Sequence, residues 1–471
     1  MMVLNLLIKP LAIFGIDAQV QNQVGSDDYG IYFSLLNFSF LFNILMDFGI
    51  NNFTTKSVAQ APKATVTYLG KILLFRLVLF VFYAVVTFSI ALVVNWNVFE
   101  LQLLSLLVLN QFFVTLIAYA RSHFGGLLMF RTDAVLSILD KALLIIFCGL
   151  LLYTPIAGET FRIEWLVYTQ TVCYGLTFLL AMGMLFSRIG IPKISYKHTF
   201  TYAIVRKSAP YALLILLMMI YTRVDSVMIE RMHPDGRWEA GYYAQGFRLL
   251  DACFMFAMIF SNLLLPLFSR MLSKKEDVSP VLSVSGRWLI SGAMTLATIA
   301  FFHGEQILSW IYDQDIYESA PAFRLLMVAL VGMCVSLIFG TLLTANGSLK
   351  FLNSVSTLGI LVNIGLNLFL IPEYGAIGAA FATMVTQAAV AVSQVIYSVY
   401  TFGLRPSIPM FLKFLLLIGA IVGVEFLIPG EIYTIWIRVF IATLLLFVLR
   451  LIDLKQLIAT LRNSEEEEIP S

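Results

Sequence analysis

Long apolar runs, each about the length of a membrane-spanning helix, occupy nearly the whole chain. A helix needs about 20 mostly apolar residues to cross the hydrocarbon core of a bilayer. About fourteen runs meet this requirement: residues 3–23, 29–51, 69–94, 99–121, 130–153, 163–187, 202–230, 240–268, 285–303, 321–345, 350–371, 375–401, 409–429 and 432–451. The pattern predicts an all-α polytopic membrane protein with about fourteen transmembrane helices.

A faint internal repeat divides these runs. The string Asp28-Tyr29-Gly30-Ile31-Tyr32 opens the second predicted helix, and the string Ala240-Gly241-Tyr242-Tyr243 opens the eighth. The repeat predicts two pseudo-symmetric six-helix lobes followed by two C-terminal helices. The predicted boundaries are 1–200 for the N-lobe, 201–403 for the C-lobe, 404–455 for the two additional helices and 456–471 for an acidic cytoplasmic tail.

The short connections between the runs differ in charge. Basic residues such as Arg270, Lys274 and Lys275 concentrate in alternate connections, whereas the intervening ones are rich in acids such as Asp313 and Asp315. Cytoplasmic connections of membrane proteins carry the excess of Lys and Arg. The alternation therefore predicts an even number of helices with both termini in the cytoplasm.

Composition agrees with this class and excludes others. The 471 residues are 60% hydrophobic and only 12% charged, whereas soluble domains are about half apolar and a quarter charged. The net charge of +2 favours no nucleic-acid partner. The four cysteines and four histidines are scattered without ligand spacing, so no metal site is expected. No phosphate-binding glycine loop or catalytic triad pattern occurs, so we expect a protein that is not an enzyme and has no bound cofactor.

Four charged residues stand inside the seventh and eighth apolar runs: Arg223 and Asp225, then Arg248 and Asp251. Charges in a membrane segment are costly and usually face a partner or a water-filled cavity. Two interpretations follow from the residues alone. The four form a cavity layer in which arginines bind an anionic headgroup, or they form two salt bridges that hold the helices together.

Other charges lie in the first half of the chain. Lys9 and Asp17 fall on the first helix, and Lys9 acts either as an interfacial anchor or as a cavity residue next to Pro10. Asp47 and Arg76 come near the same face on the second and third helices, which predicts a buried structural pair. A local ion pair is expected among Asp133, Asp140 and Lys141 on the fifth helix.

Two strings resemble a known family. Asn363–Thr383 reads NIGLNLFLIPEYGAIGAAFAT, in which Pro372 is predicted to end the eleventh helix and Gly375 and Gly378 to start the twelfth. Val24–Tyr32, VGSDDYGIY, followed by Asp47-Phe48-Gly49-Ile50, resembles the first hairpin of the same family. The chain is thereby similar to the multidrug/oligosaccharidyl-lipid/polysaccharide exporter superfamily, in its O-antigen and polysaccharide flippase branch.

The resemblance implies a protein of the bacterial cytoplasmic membrane that moves undecaprenyl-diphosphate-linked oligosaccharide from the inner to the outer leaflet by alternating access. It implies that Lys9, Arg223 and Arg248 bind the substrate. Asp17, Asp225 and Asp251 are then cavity acids, or they couple transport to a Na⁺ or H⁺ gradient. The partners expected are the lipid-linked oligosaccharide and the bilayer, with the protein acting as a monomer.

Three alternatives stay open. A cation-coupled multidrug antiporter belongs to the same superfamily, and the two extra C-terminal helices resemble the layout of a lipid II flippase. Lys9 stands where that flippase type has arginines, which favours surface polysaccharide over the peptidoglycan precursor. The third alternative, a membrane-embedded glycosyltransferase or polymerase, is disfavoured because no large outer loop with catalytic acids or arginines is present.

Overall fold

The computed structural model describes residues 8–60, 65–154, 161–190, 198–405, 407–427 and 434–452. Within these ranges the regular structure is helical throughout, with thirteen α-helices and no strand. Inside a bilayer, backbone polar groups have no water to bond with, so apolar segments of this length pair their own N–H and C=O groups as helices. The all-α polytopic class predicted from the sequence is confirmed. The predicted acidic tail at 456–471 lies outside the described residues.

The helices are numbered here in chain order. Their bounds are α1 Ala18–Leu41, α2 Ile50–Gln60, α3 Thr65–Val93, α4 Val98–Gly126, α5 Phe130–Tyr153, α6 Ile163–Ile189, α7 His198–Met232, α8 Gly236–Ser273, α9 Ser279–Leu308, α10 Ile316–Ala345, α11 Leu349–Phe402, α12 Ile408–Leu427 and α13 Thr434–Val448.

Ten helices of the described chain are long and apolar enough to cross a membrane. One of them, α11, has 54 residues and would measure about 80 Å if it were continuous, more than twice the hydrocarbon thickness. It is interrupted at Gly375, whose φ of 50° and ψ of −127° are not helical. Its two halves match the eleventh and twelfth predicted spans, while the total of fourteen spans stays a prediction.

The interruption in α11 differs from the expected one. Pro372 was predicted to end the eleventh helix, but helical structure continues through it and breaks at Gly375. A Cβ atom at Gly375 would overlap the carboxylate of Glu239 in the first turn of α8. Glycine is therefore required here both by the positive φ and by this close approach.

The first two predicted spans also differ from expectation. The predicted connection at residues 24–28 is reduced to one non-helical residue, Gly25, with φ of 82° and ψ of 170° inside α1. The second predicted span was placed at 29–51, but α1 ends at Leu41 and a 3₁₀-helix follows at Asn43–Met46. Phe48 and Gly49 then have φ of 42° and 75° before α2 begins. The prediction was wrong because hydropathy does not detect positive-φ positions.

The chain forms two compact units. Unit 1 comprises Met1–Ala244, Ile311–Gln314 and Ile371–Gly375, and unit 2 comprises Gln245–Trp310, Asp315–Leu370 and Ala376–Ser471. The lobe boundaries drawn from the sequence stay a prediction.

In unit 1, the backbones of α1 and of the start of α8 approach each other closely. A Cβ on Gly30 would overlap the carbonyl of Arg237, and a Cβ on Gly241 would overlap the carbonyl of Ser26. The buried Gln21 side chain donates from Nε2 to the Gly241 carbonyl at 2.9 Å. The two glycine–tyrosine motifs noticed in the sequence thus pack on each other, because small residues allow helix backbones to approach.

In unit 2, the last two helices pack on α9. Ile299 of α9, Leu417 and Ile421 of α12, and Ala442 and Leu446 of α13 form one buried apolar cluster. Trp310, just after α9, stacks on Trp436 of α13 with ring centroids 5.3 Å apart. The two C-terminal helices therefore have a defined packing position within this unit.

Candidate functional site

The predicted pair of Asp47 and Arg76 is in contact. Arg76 on α3 is only 1% exposed, and its Nη2 lies 2.9 Å from Asp47 Oδ1. The same nitrogen donates to Asn51 Oδ1 at 2.6 Å, and the guanidinium lies over the Tyr119 ring, 4.4 Å from its centroid. A carboxylate, an amide and an aromatic face thus surround one buried cation. The predicted contact is therefore formed, and the structural role of the pair stays a prediction.

Lys9, which precedes α1 in the chain, lies in a group of charges with residues of α4 and α5. Coulombic interactions connect Lys9 with Arg121 on α4 and with Asp140 and Lys141 on α5. We call these four residues the Lys9 cluster. Lys9 is half-buried. It has no hydrogen bond or ion pair within the described part of the chain.

The other two cations of the Lys9 cluster are already neutralised. Arg121 Nε lies 2.7 Å from Asp133 Oδ1. Lys141 Nζ lies 3.3 Å from Asp140 Oδ2 and donates to the hydroxyl of Tyr174 at 2.8 Å. The local ion pair predicted on the fifth helix is thus formed by Asp140 and Lys141, whereas Asp133 pairs with α4. Lys9, Arg121 and Lys141 carry three positive charges, and Asp133 and Asp140 carry two negative ones. Because both carboxylates are engaged by Arg121 and Lys141, one positive charge, that of Lys9, is in excess.

Arg223 and Asp225 of α7 have different surroundings. Residues two apart on a helix point to different faces. Arg223 donates from Nη1 to Asn37 Oδ1 of α1 at 3.2 Å and lies 5.8 Å from the centroid of the Phe40 ring. Asp225 is fully buried and accepts a hydrogen bond from the Tyr243 hydroxyl at 2.9 Å. Each residue therefore tethers α7 to a different helix of unit 1.

The remaining predicted site residues are placed as follows. Arg248 and Asp251 are half-buried on the part of α8 that belongs to unit 2. They stand three positions apart, which places them on the same helix face. Asp17 lies in a π-helical turn, Ile13–Asp17, within electrostatic reach of Cys148 on α5. The assignment of all these residues to substrate or to ion coupling stays a prediction.

A second polar region was not predicted. Glu100 in the first turn of α4 is 2% exposed, and its two carboxylate oxygens lie 2.8 Å from Arg231 Nη2 and 3.1 Å from Arg237 Nη2. Glu230 holds Arg231 from the other side, with 2.7 Å between Oε2 and Nε. These residues border a polar cavity of about 380 Å³ in unit 1. The sequence signal for this region is the run of alternating charges at residues 230–239.

His303 has two charged neighbours that were not predicted. Its Nε2 lies 2.9 Å from Glu425 Oε2 of α12 and 3.1 Å from Arg438 Nη1 of α13. The sequence signal was two charged residues inside the last two apolar runs. No group of three or more His, Cys, Asp or Glu side chains in the described ranges is arranged to hold a metal ion.

The fold, with these charged residues inside long apolar helices, defines a polytopic membrane protein. The structure is similar to the lipid II flippase MurJ in its inward closed conformation, with a TM-score of 0.73, 14% identity, and coverage of 96% of this chain and 98% of that one. It is also similar to an inward-facing multidrug resistance MATE family transporter of the MOP superfamily, with a TM-score of 0.68, 13% identity, and coverage of 84% and 94%.

The family follows from the sequence comparison. The model of the polysaccharide biosynthesis protein family matches residues 2–272, which is more than half of the chain. The protein therefore belongs to that family, and the resemblance noted in the sequence is confirmed. An uncharacterized membrane protein of Methanocaldococcus jannaschii is 24% identical over 378 residues, which cover 78% of this chain and 89% of that protein.

Proposed function

We propose that the protein is a flippase that moves undecaprenyl-diphosphate-linked oligosaccharide, the repeat unit of a surface polysaccharide, from the inner to the outer leaflet by alternating access. The sugars and the diphosphate lose their hydration on entering hydrocarbon, so a polar path with fixed cations must replace it. Membership of the polysaccharide biosynthesis family and the MOP transporter fold support this class of activity.

One observation carries the proposal most directly, namely the excess positive charge at Lys9. The Lys9 cluster brings three cations together in an apolar chain, and the two nearby carboxylates are already paired with Arg121 and Lys141. An uncompensated cation in a medium of low dielectric constant favours an anionic partner. A diphosphate supplies such a charge, and Lys9 then acts as its first contact. Arg223 and Arg248 are the further cations that we assign to the substrate.

The test is headgroup translocation by the full-length protein in proteoliposomes. A fluorescent undecaprenyl-diphosphate oligosaccharide is incorporated into the proteoliposome membrane. A membrane-impermeant quencher then reports the fraction of the labelled headgroup that reaches the outer leaflet. Lys9→Gln is expected to slow translocation by about tenfold or more, the loss expected for one charge-assisted hydrogen bond. Lys9→Arg should keep most of the rate, because it keeps the charge.

The matched control is Lys274→Gln, which removes a lysine that is 49% exposed and lies 3.7 Å from Glu276 after α8. It should translocate at the rate of the unchanged protein. If Lys9→Gln also does so while remaining folded, Lys9 is not a substrate contact and the proposed site is wrong.

A lipid II-type flippase is the second candidate, and the similarity to MurJ over 96% of the chain favours it. The same assay with lipid II in place of the oligosaccharide lipid separates the two. Transport of a cationic drug driven by a Na⁺ or H⁺ gradient, with neither lipid moved, would instead support the antiporter, with Asp17, Asp225 and Asp251 as coupling acids.

A further inference from the structure

Segments from several helices of unit 1 enclose the polar cavity of about 380 Å³ described above. Asp27 lies on α1, and Asn95 lies in the connection between α3 and α4. Asp235 lies in the connection between α7 and α8, and Arg237 and Trp238 lie in the first turn of α8. We call this space the Trp238 cavity. Its volume falls within the range of about 300–1,000 Å³ that is usual for small-molecule sites.

The floor of the Trp238 cavity is a closed network of hydrogen bonds around Glu100. Glu100 Oε2 accepts from the backbone N–H of Asn97 and from Arg231 Nη2, both at 2.8 Å. Its other oxygen, Oε1, accepts from Arg237 Nη2 at 3.1 Å. A Cβ on Gly236 would overlap backbone carbonyls at the end of α7, so the connection into α8 is tightly closed. The floor is therefore held in place before any ligand arrives, which lowers the cost of binding.

The rim of the Trp238 cavity has hydrogen-bonding capacity that the described chain does not use. The side chains of Asp27, Asn95 and Asp235 border the cavity and make no hydrogen bond or ion pair with described residues. The Arg237 side chain bonds Glu100 through Nη2 and hydrogen-bonds no other described residue, which leaves it further N–H donors. The rim therefore offers acceptors and donors together.

Trp238 adds an aromatic face to this rim. It is 45% exposed, and its ring lies beside that of Tyr242, one turn further along α8, with ring centroids 6.4 Å apart. An indole has a large apolar face. A sugar ring has an apolar face of C–H groups and a polar edge of hydroxyls, so it can pack on an indole while its hydroxyls bond to neighbouring polar side chains.

The charges of the Trp238 cavity favour a neutral, hydroxylated ligand. Four carboxylates and two guanidinium groups line it, so two negative charges are in excess and a diphosphate is repelled. A cation would use only the acceptors and would meet the two guanidinium groups. Within the described ranges, His, Cys, Asp and Glu side chains nowhere form a group of three that could hold a metal ion. A sugar hydroxyl both donates and accepts hydrogen bonds, so it can use the carboxylates, the amide and the N–H donors alike.

We propose that the Trp238 cavity is a carbohydrate site, in which Trp238 packs on a sugar ring while Asp27 and Asp235 bind its hydroxyls. By the predicted alternation of spans, the cavity is on the outer face of the membrane. That the ring belongs to the transported oligosaccharide rests on the proposed function, whereas the chemistry of the cavity does not. The cavity complements the Lys9 cluster, because one has excess negative charge and suits sugars and the other has excess positive charge and suits a diphosphate.

The test is sugar binding by the full-length protein in nanodiscs, measured in saturation-transfer NMR titrations. The probes are the free oligosaccharide, released by mild acid from the undecaprenyl-diphosphate lipid of the transport assay, and the methyl glycosides of glucose, galactose, N-acetylglucosamine and rhamnose. The oligosaccharide and at least one glycoside should bind the unchanged protein. Asp27→Ala should weaken this binding by about tenfold or more, because a hydrogen bond to a charged group is lost. Trp238→Ala should weaken it by about tenfold, because the sugar ring loses its aromatic face.

Two matched controls remove the same kinds of side chain elsewhere. Glu276→Ala removes an acid that is 44% exposed after α8, and Trp165→Ala removes an indole that is 40% exposed on α6. Both variants should bind the sugars as the unchanged protein does. Asp27→Ala breaks no hydrogen bond or ion pair of the described chain, so its thermal unfolding midpoint should not change.

Three results would overturn the proposal: no probe binds, the probes bind both cavity variants as tightly as the unchanged protein, or the cavity binds tetramethylammonium or pyrophosphate and none of the sugars. Transport of the lipid without sugar binding rejects this site and leaves the proposed function intact. Sugar binding that depends on Asp27, with no lipid transported, rejects the proposed function and leaves the carbohydrate site.

Discussion

Arg76 and Lys9 are both cations of unit 1, and they differ in what surrounds them. Arg76 is 1% exposed and has a carboxylate, an amide and an aromatic ring within contact distance. Lys9 is half-buried and lies near two other cations, Arg121 and Lys141, which already pair with the carboxylates of Asp133 and Asp140. Removing one partner of a buried ion pair is costly because the other charge is left uncompensated, whereas Lys9 has no hydrogen bond or ion pair with the residues that the structure describes. The same kind of residue therefore serves packing in one place and, as we propose, binding in the other.

The largest effect is expected at the Arg76 junction. Arg76→Ala leaves the half-buried Asp47 carboxylate without its cation and opens a cavity at the buried Arg76, which costs about 3 kcal/mol of stability. The loss is measured as the thermal unfolding midpoint of the purified protein in detergent. The double variant Asp47→Asn with Arg76→Met removes both charges and should recover more than half of that loss. Equal losses in the single and double variants would show that the ion pair does not determine the stability of this junction.

A smaller loss is expected where the backbone turns into α2. Gly49 has φ of 75°, and a Cβ there would lie 3.2 Å from Ser208 Oγ of α7. Gly49→Ala should cost about 1–3 kcal/mol, because a side chain is strained in this region. Gly183→Ala on α6 is the matched control: its Cβ would meet nothing within 4 Å. If Gly183→Ala lowers the unfolding midpoint as much as Gly49→Ala does, the strain argument fails.

The sequence predicts the apolar spans and the Asp47–Arg76 contact better than the neighbours of Lys9 and His303, and the reasons are physical. Hydropathy located the apolar spans well because length and apolarity alone decide whether a helix can cross a bilayer. The sequence predicts the pair of Asp47 and Arg76 because the two residues lie near the same membrane face on consecutive predicted helices. The neighbours of Lys9 and His303 were not predicted: the partners of His303 are 122 and 135 positions away. Which helix faces meet depends on packing among distant spans, and one sequence does not contain that information in its periodicity.

The smallest effect on stability, and the sharpest test of the comparison, is expected at Lys9. Lys9→Gln removes no hydrogen bond or ion pair of the described chain, and it relieves repulsion from Arg121 and Lys141. The unfolding midpoint should therefore stay within the equivalent of about 0.5 kcal/mol or rise slightly. Addition of pyrophosphate should raise the midpoint of the unchanged protein, since a bound anion stabilises the folded state, but not that of Lys9→Gln. A loss as large as that of Arg76→Ala would mean that Lys9 is a structural cation after all, and the distinction between the two regions would disappear.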